Sequence, residues 1–283
     1  MHILVTGANG RLGSALARAL EGQGVRVTAI DIDRLDLTDF PRVRTFLREL
    51  RPDWVAHPAA WTDVDGCARE PERALLHNGI AAGYVAQAAA EAGAGVLYIS
   101  SNEVFDGAAD HPYLEYDAPR PVNSYGMSKW AGEQAVARLN PRHMIVRIAW
   151  LFAHGGRNFV HAILRAAAED KPLRVVTDEV ANPTYAEDLA PALAALLADG
   201  RCGVFHLTNA GWCSRYAFAR CVLDVAGYGA TPIAQITSAE WPRPSAPPLF
   251  TPLANVAASA AGIALRPWEQ AVEAFVRAEG LAR

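Results

Sequence analysis

The sequence is poor in cysteine and has no cysteine pairing motif. Cys67, Cys202, Cys213 and Cys221 are scattered, and no Cys-x-x-Cys spacing occurs. That argues against a disulfide-stapled secreted scaffold and fits small apolar side chains in a reducing, cytoplasmic compartment. There is no positive excess either: the formal charge is −4 and the pI about 6.1, so no nucleic-acid partner is expected. Charges and glycines interrupt every alanine-rich run before it reaches the length of a membrane span. The N-terminus opens directly on a strand pattern, without a basic region and a long apolar stretch, so neither a signal peptide nor a membrane partner is expected. His154 and His161 stand apart from any paired-carboxylate pattern, so no metal site is expected. Gly-x-Ser-x-Gly is absent, which removes the serine-hydrolase elbow. No internal repeat appears.

What is present is apolar and patterned. Hydrophobic residues make up 51% of the 283, enough for a large core in one domain, or in a main domain with a smaller lobe. The apolar strand at residues 2–6 runs into Gly7-Ala-Asn-Gly10-Arg-Leu-Gly13 and then a helical period over 14–20. Strand, glycine turn and helix in this order form a phosphate cradle. Gly7 permits the turn, Gly10 lets phosphate approach the backbone, and Gly13 lets the helix pack on the sheet, with the helix N-terminus facing a pyrophosphate. Asn9, Arg11 and Leu12 lie in the same turn. The bland alternative is a glycine-rich βα turn with no ligand.

A second strand at 25–30 ends in Asp31, where an acid would meet the adenine ribose hydroxyls and repel a 2′-phosphate. Arg34, nearby, would pull the other way, so NADH is favoured only weakly over NADPH. Asp36 and Leu37 are candidates for the adenine pocket, and Asp39 with Pro41 reads as the start of a helix over 41–50. A third strand at 53–57 leads to Ala59 and Ala60, small enough for backbone to lie against a cofactor, and to Trp61, a pocket lid or plain core. A long helix is expected over 71–92, with Asn78 as a buried structural hydrogen-bonder.

The fourth strand, at 96–99, is expected at the centre of a doubly wound parallel sheet. Ser100 and Ser101 follow at its carboxyl end, where such sheets bind ligands. Residues 103–123, proline-rich and acidic, read as a surface loop over the pocket. Then comes Ser124-Tyr-Gly-Met-Ser-Lys129. Tyr125 and Lys129 are four apart and share a helix face. A free tyrosine is a poor acid near neutral pH, and a neighbouring ammonium favours its phenolate. Alone, the pair could be a half-wet helix surface; the glycine turn and Ser101 make it a candidate for carbonyl reduction beside a nicotinamide. Ser124 is the candidate N-cap of this helix. Trp150, after a fifth strand at 143–149, reads as a pocket wall more readily than as core.

In the second half the period gives helices at 158–169, 185–197, 214–226 and 268–278, and strands at 173–176 and 203–207. Prolines break the pattern over 236–252. These elements are too few and irregular for a second sheet domain. The expected organisation is a Rossmann-type α/β domain over 1–155 and a small C-terminal substrate lobe over 156–283, with segments returning to the first.

On these residues the chain resembles the extended short-chain dehydrogenase/reductases, and within them the dTDP-4-dehydrorhamnose reductase family. The matching stretches are Val5-Thr-Gly-Ala-Asn-Gly-Arg-Leu-Gly13, Leu35-Asp-Leu-Thr-Asp39, Ala59-Ala-Trp-Thr62 and Val104-Phe-Asp-Gly107. They continue with Asn123-Ser-Tyr-Gly-Met-Ser-Lys-Trp-Ala-Gly-Glu133, Pro172-Leu-Arg-Val-Val176 and Pro183-Thr-Tyr-Ala-Glu-Asp-Leu189. The resemblance implies NADPH- or NADH-dependent reduction of the 4-keto group of a deoxythymidine-diphosphate sugar. It also implies Ser101, Tyr125 and Lys129 as catalytic groups and Trp150 in the substrate site, and a homodimer stays open. Asn102, Glu103, Asn182 and Arg243 are the further substrate-site candidates. The chain departs from the family pattern at Asn102-Glu103, where Asp-Tyr is usual, at Glu179 in place of Gln, and at Asn182 in place of a small residue. Glu103 is expected to swing toward solvent with nothing near it to raise its pKa. Epimerase or dehydratase action on another nucleotide sugar, and a non-catalytic NAD(P)-binding regulatory subunit, are the alternatives.

Overall fold

Short apolar runs separated by amphipathic stretches build a parallel sheet, because each run must be followed by a crossover before the next can pair beside it. The computed structural model describes residues 1–155 and 158–282. Its first half holds β1 (His2–Val5), α1 (Arg11–Gly22), β2 (Arg26–Ala29), α2 (Phe40–Leu50) and β3 (Trp54–His57). Next come α3 (Val64–Arg69), α4 (Pro71–Ala74), α5 (Ala81–Glu91), β4 (Gly95–Ser101), α6 (Ser124–Leu139) and β5 (His143–Ile148). The helix expected over 71–92 is α4 and α5 running on through a π turn, Leu75–Ile80.

The second half adds β6 (Leu151–Phe152), α7 (Phe159–Ala168), β7 (Leu173–Val176), β8 (Val180–Ala181), β9 (Thr184–Tyr185) and α8 (Ala186–Asp199). It ends with β10 (Gly203–His206), β11 (Cys213–Ser214), α9 (Arg215–Val225), β12 (Ile233–Ile236), α10 (Val256–Ala260) and α11 (Trp268–Ala278).

The main sheet is wholly parallel, in the order β2-β1-β3-β4-β5-β10. Strand order reverses between β1 and β3, so a crevice opens outside their carboxyl ends. β10 comes from the second half of the chain. So does α8, whose Leu189, Leu193 and Leu196 pack with Leu12, Leu16 and Leu20 of α1. Segments after residue 155 thus return to the sheet. The boundary expected between 155 and 156 adjoins residues 156 and 157, which with 283 lie outside the described residues.

A separate apolar cluster forms the lobe: Phe152, Ile163, Phe218, Val222, Trp268, Val272 and Phe275, drawn largely from α7, α9 and α11. Two-stranded pairs, β7 with β12 and β8 with β11, brace it. β12 and α10 flank the proline-rich stretch 236–252 and were not legible, because short elements carry too few periods to stand out. A buried bidentate ion pair, Arg147 to Glu133 at 2.9 and 2.7 Å, pins α6 to β5. Removing either partner would strand the other charge and cost about 3–5 kcal/mol.

The expectation for residues 103–123 needs correction. Val104, Phe105 and Tyr113 are buried and stack among themselves and with Leu253, so the segment is an anchored cover and not a surface loop. His154 and His161, which stand apart from any paired-carboxylate pattern in the sequence, both hydrogen-bond the single carboxylate of Glu279 from α11's end, at 2.5 and 2.9 Å. Chain return over more than a hundred residues brings them together, which spacing cannot show. Among the described residues no group of three or more His, Cys, Asp or Glu is placed to hold a metal ion.

Candidate active site

The glycine turn is fixed by sterics. Gly7 has φ +58°, and a Cβ on it would stand 2.8 Å from Ala59 Cα. A Cβ on Gly13 would collide with the Gly7 carbonyl, so α1 can start this close to the turn only without one. The cradle thereby exposes backbone N–H groups at the head of α1, fitting a dinucleotide pyrophosphate.

On one side of the turn is a cavity of about 490 Å³ lined by Gly7, Asn9, Asp31, Asp36, Leu37, Ala59, Ala60 and Trp61. The Asp31 carboxylate accepts from the Asn9 and Ile32 backbone N–H groups at 2.9 and 2.7 Å, so it is held facing the pocket. Asp36 is held below the usual carboxylate range by the Thr38 backbone N–H and hydroxyl. Arg34 is turned away, its guanidinium over the Phe46 ring at 5.7 Å. Trp61 is a pocket wall, carrying the Arg73 guanidinium 4.6 Å above its ring. Asn78 is the buried brace expected: it accepts from the Trp61 N–H at 2.8 Å and donates to the Trp61 carbonyl and to Ser128 Oγ, both at 3.0 Å.

On the other side is a cleft of about 460 Å³ that gathers Gly10, Arg11, Leu12 and Gly13 with Ser101, Asn102, Glu103, Tyr125, Lys129, Trp150 and Arg215. β4 runs two residues further than its apolar core and delivers Ser101 as its last residue. The N-cap of α6 is Asn123, not Ser124: its side chain accepts from Gly126 N at 2.8 Å. A glycine is needed at 126 because the Glu103 carbonyl lies where its Cβ would be. This close approach brings the start of α6, and so Tyr125, against the end of β4.

The electrostatics differ from the simple expectation of a lowered tyrosine pKa. Tyr125 is raised above its ordinary value, first by burial and then by the Glu103 carboxylate, while the Ser101 hydroxyl pulls it back. A neutral phenol is the form a proton donor needs. Burial brings Lys129 down to about 7, although Glu133 holds it up. Its ammonium sits 4.1 Å above the Tyr98 ring. His57, bonded through Nδ1 to Thr6 Oγ1 at 2.7 Å, is brought to about 3 by burial and by Lys129, so it stays neutral beneath the lysine.

Glu103 also departs from expectation. It lines the cleft, accepts from Asn123 Nδ2 at 2.7 Å, and is raised by burial against the pull of Arg243 and Arg215. The short 3₁₀ turn Asn102–Val104 holds it inward. Asn102 also lines the cleft, donating to Thr251 Oγ1 at 2.7 Å. Asn182 and Arg243 are placed elsewhere. Asn182 is 2% exposed and spends its amide on the Gly211 carbonyl and the Leu253 backbone. Arg243 Nε donates to Asp65 at 3.1 Å. Sequence reasoning missed Arg215 and Asn123. The signal for Arg215 was a cation in the first turn of a helix, where the dipole favours acids. A signal for Lys129 was also available: only Lys129 and Lys171 are lysine in a chain that otherwise uses arginine.

Trp150 has φ +39°, a strained value for an aromatic residue, and its ring carries the Arg215 guanidinium at 3.6 Å. The structure thus brings Ser101, Tyr125, Lys129, Glu103 and Trp150 to one cleft beside the glycine turn. This arrangement defines an NAD(P)-binding oxidoreductase fold of the short-chain dehydrogenase/reductase type. The family described as RmlD substrate binding domain matches residues 1–280. The chain belongs to it, and so to the family of the dTDP-4-dehydrorhamnose reductases.

The dTDP-4-dehydrorhamnose reductase of Mycolicibacterium smegmatis is 38% identical over 282 residues, covering 98% of this chain and 85% of that protein. The crystal structure of a dTDP-4-dehydrorhamnose reductase from Clostridium acetobutylicum has a TM-score of 0.95 at 35% identity, covering 98% of this chain and 99% of that one. The Bacillus anthracis reductase structure, in complex with NADP, has a TM-score of 0.94 at 33% identity, with the same coverage.

Proposed function

We propose that the protein reduces the 4-keto group of a dTDP-sugar with NAD(P)H, dTDP-4-dehydro-L-rhamnose to dTDP-L-rhamnose being the best match. The observation that carries this reading is the convergence of Ser101, Tyr125 and Lys129 on the cleft that the glycine turn also lines. Bound along that turn, the reduced nicotinamide supplies the hydride. Tyr125 gives its phenolic proton to the carbonyl oxygen as general acid. Ser101 hydrogen-bonds the same oxygen as negative charge grows on it, where such a bond helps most. Lys129, in the same cleft, would offset the charge left on the phenolate and would hold the ribose of a bound cofactor.

NADH is the favoured cofactor, on the strength of Asp31 facing the adenosine pocket while Arg34 lies over Phe46. The four free cysteines accord with a cytoplasmic setting. Turnover of 4-keto dTDP-sugars, followed at the nicotinamide absorbance with each reduced cofactor, tests the reading. Oxidation of NADH or NADPH that depends on the keto sugar is expected. No turnover with any of these sugars, by protein that binds cofactor, would leave the non-catalytic subunit standing.

A further inference from the structure

Three charged side chains from three distant segments meet at the lobe wall of the cleft. Glu179, 7% exposed, lies 3.5 Å from Arg215 Nε and 3.9 Å from Arg243 Nη1. Arg243 turns its Nε to Asp65 at 3.1 Å and is not part of the cleft lining. Arg215 is. It heads α9, sits 3.6 Å over the ring of the strained Trp150, and among the described residues is the cation that the lobe presents to the cleft. Among the described residues the cleft's other cations, Arg11 and Lys129, belong to the glycine turn and to the Tyr125 helix.

Chemistry then fixes what a cation on this wall would meet. In a nucleotide-diphosphate 4-keto sugar the carbonyl and the diphosphate sit on opposite ends of the six-membered ring. With the carbonyl turned to Tyr125 on α6, the diphosphate points away from α6 and toward the lobe. A dianionic group there needs a partner, since burying it unpaired is costly. We propose that Arg215, not Arg243, is the residue that receives the substrate diphosphate. Glu179 and Trp150 hold its guanidinium plane fixed in advance, the arrangement in which arginine binds phosphate oxygens best.

This inference rests on the reductase reading, and the experiment separates the two. Binding of dTDP and of thymidine is titrated by calorimetry on the whole protein, on Arg215→Met, on Arg215→Gln and on Arg243→Met, with NADH binding as the control for folding. Arg215→Met is expected to weaken dTDP by more than about tenfold, the scale of a lost charge-assisted bond. Thymidine and NADH should hold within about twofold, and Arg243→Met should cost dTDP less than about threefold. If Arg215→Met disturbs NADH binding, Arg215→Gln gives the reading instead. An unchanged dTDP affinity in a folded Arg215 variant overturns the proposal, as does a larger loss from Arg243→Met. A parent protein that binds dTDP but reduces no dTDP keto sugar overturns the reductase reading alone.

Discussion

The two cavities beside the glycine turn are nearly equal in size, about 490 and 460 Å³, yet they draw on different parts of the chain. The cavity proposed for adenosine is built from the first eighty or so residues: Gly7, Gly10, Pro58, Ala59 and Ala60, the carboxylates Asp31 and Asp36, and Trp61, Arg73 and His77. The reaction cleft is shaped by large and charged side chains: Glu103, Tyr125, Lys129, Trp150 and Arg215. The first is set by sterics within β1, β3 and the turns that follow them. The second depends on chain segments more than a hundred residues apart meeting correctly. Changes to the first should therefore act on cofactor affinity, and changes to the second on rate, pH profile and choice of sugar.

The sharpest test removes one oxygen from the reaction cleft. Tyr125→Phe keeps the ring and should lower kcat by about 10²–10⁴, the usual worth of a general acid. NADH affinity, set in the other cavity, should stay unchanged by fluorescence titration. A rate within threefold of the parent would show that the proton comes from another group.

The converse change is Gly10→Val. A Cβ here meets only the Gly7 carbonyl oxygen, at 3.0 Å, so the fold should tolerate it. The added methyls, however, project where phosphate must approach. NAD(P)H affinity should fall by more than about tenfold, or about 1.4 kcal/mol, with the melting temperature nearly held. A folded variant with unaltered titration would detach the glycine turn from cofactor binding.

The same contrast explains what could be read from the sequence. Gly7, Gly13 and the Tyr125–Lys129 spacing are read within one turn or one helix, and Asp31 from its place at the end of the second strand. The helices at 214–226 and 268–278 were legible for the same reason, since each carries its own apolar period, and Ser214 and Asp39 mark the starts of two helices as caps. The Glu179–Arg215 contact and the inward turn of Glu103 were not legible. Both are set by tertiary approach, Glu103 by a short 3₁₀ turn and by Gly126 packing on its carbonyl. Asn182 shows the opposite error: a polar residue next to a site motif proved to be a backbone brace.

Lys129 lines the reaction cleft and gives a pH test. Its pKa is brought from 10.5 to about 7 by burial. In the free enzyme the ammonium should therefore be lost as pH rises through about 7, and kcat/KM should decline above that point. Lys129→Met should lower activity and abolish that limb. The stability sign is opposite. The unfolded chain holds the proton up to about 10.4, and folding below pH 7 must bury a charge. The folded state is therefore penalised fully below about 7, and the penalty is relieved as pH rises from 7 toward 10. At pH 6 Lys129→Met should be stabilising by a few kcal/mol in urea titration; a destabilised variant would mean that contacts of the ammonium outweigh its burial.

The smallest effect should come from Glu103, and it separates the cavities most finely because the residue touches only the reaction cleft. Burial raises its pKa, so it keeps a proton to higher pH than an ordinary glutamate and ionises above that range. Once ionised, it adds a negative charge to a cleft that must admit a diphosphate. With cofactor saturating, KM for the keto sugar should therefore rise with pH in the parent as Glu103 loses its proton. Arg215, Arg243 and Glu179 surround it, so much of the charge is compensated. The rise should be about two- to fivefold, the scale of a partly screened charge pair. Glu103→Gln keeps an acceptor for Asn123 Nδ2 and removes the charge. Its KM should match the parent at low pH and stay flat as pH rises, while the Lys129 limb in kcat/KM for the cofactor remains. If the KM rise persists in Glu103→Gln, the repulsion comes from Glu179 or from the substrate's own ionisation. If KM is raised at every pH, Glu103 instead contributes a hydrogen bond to the sugar that glutamine cannot reproduce.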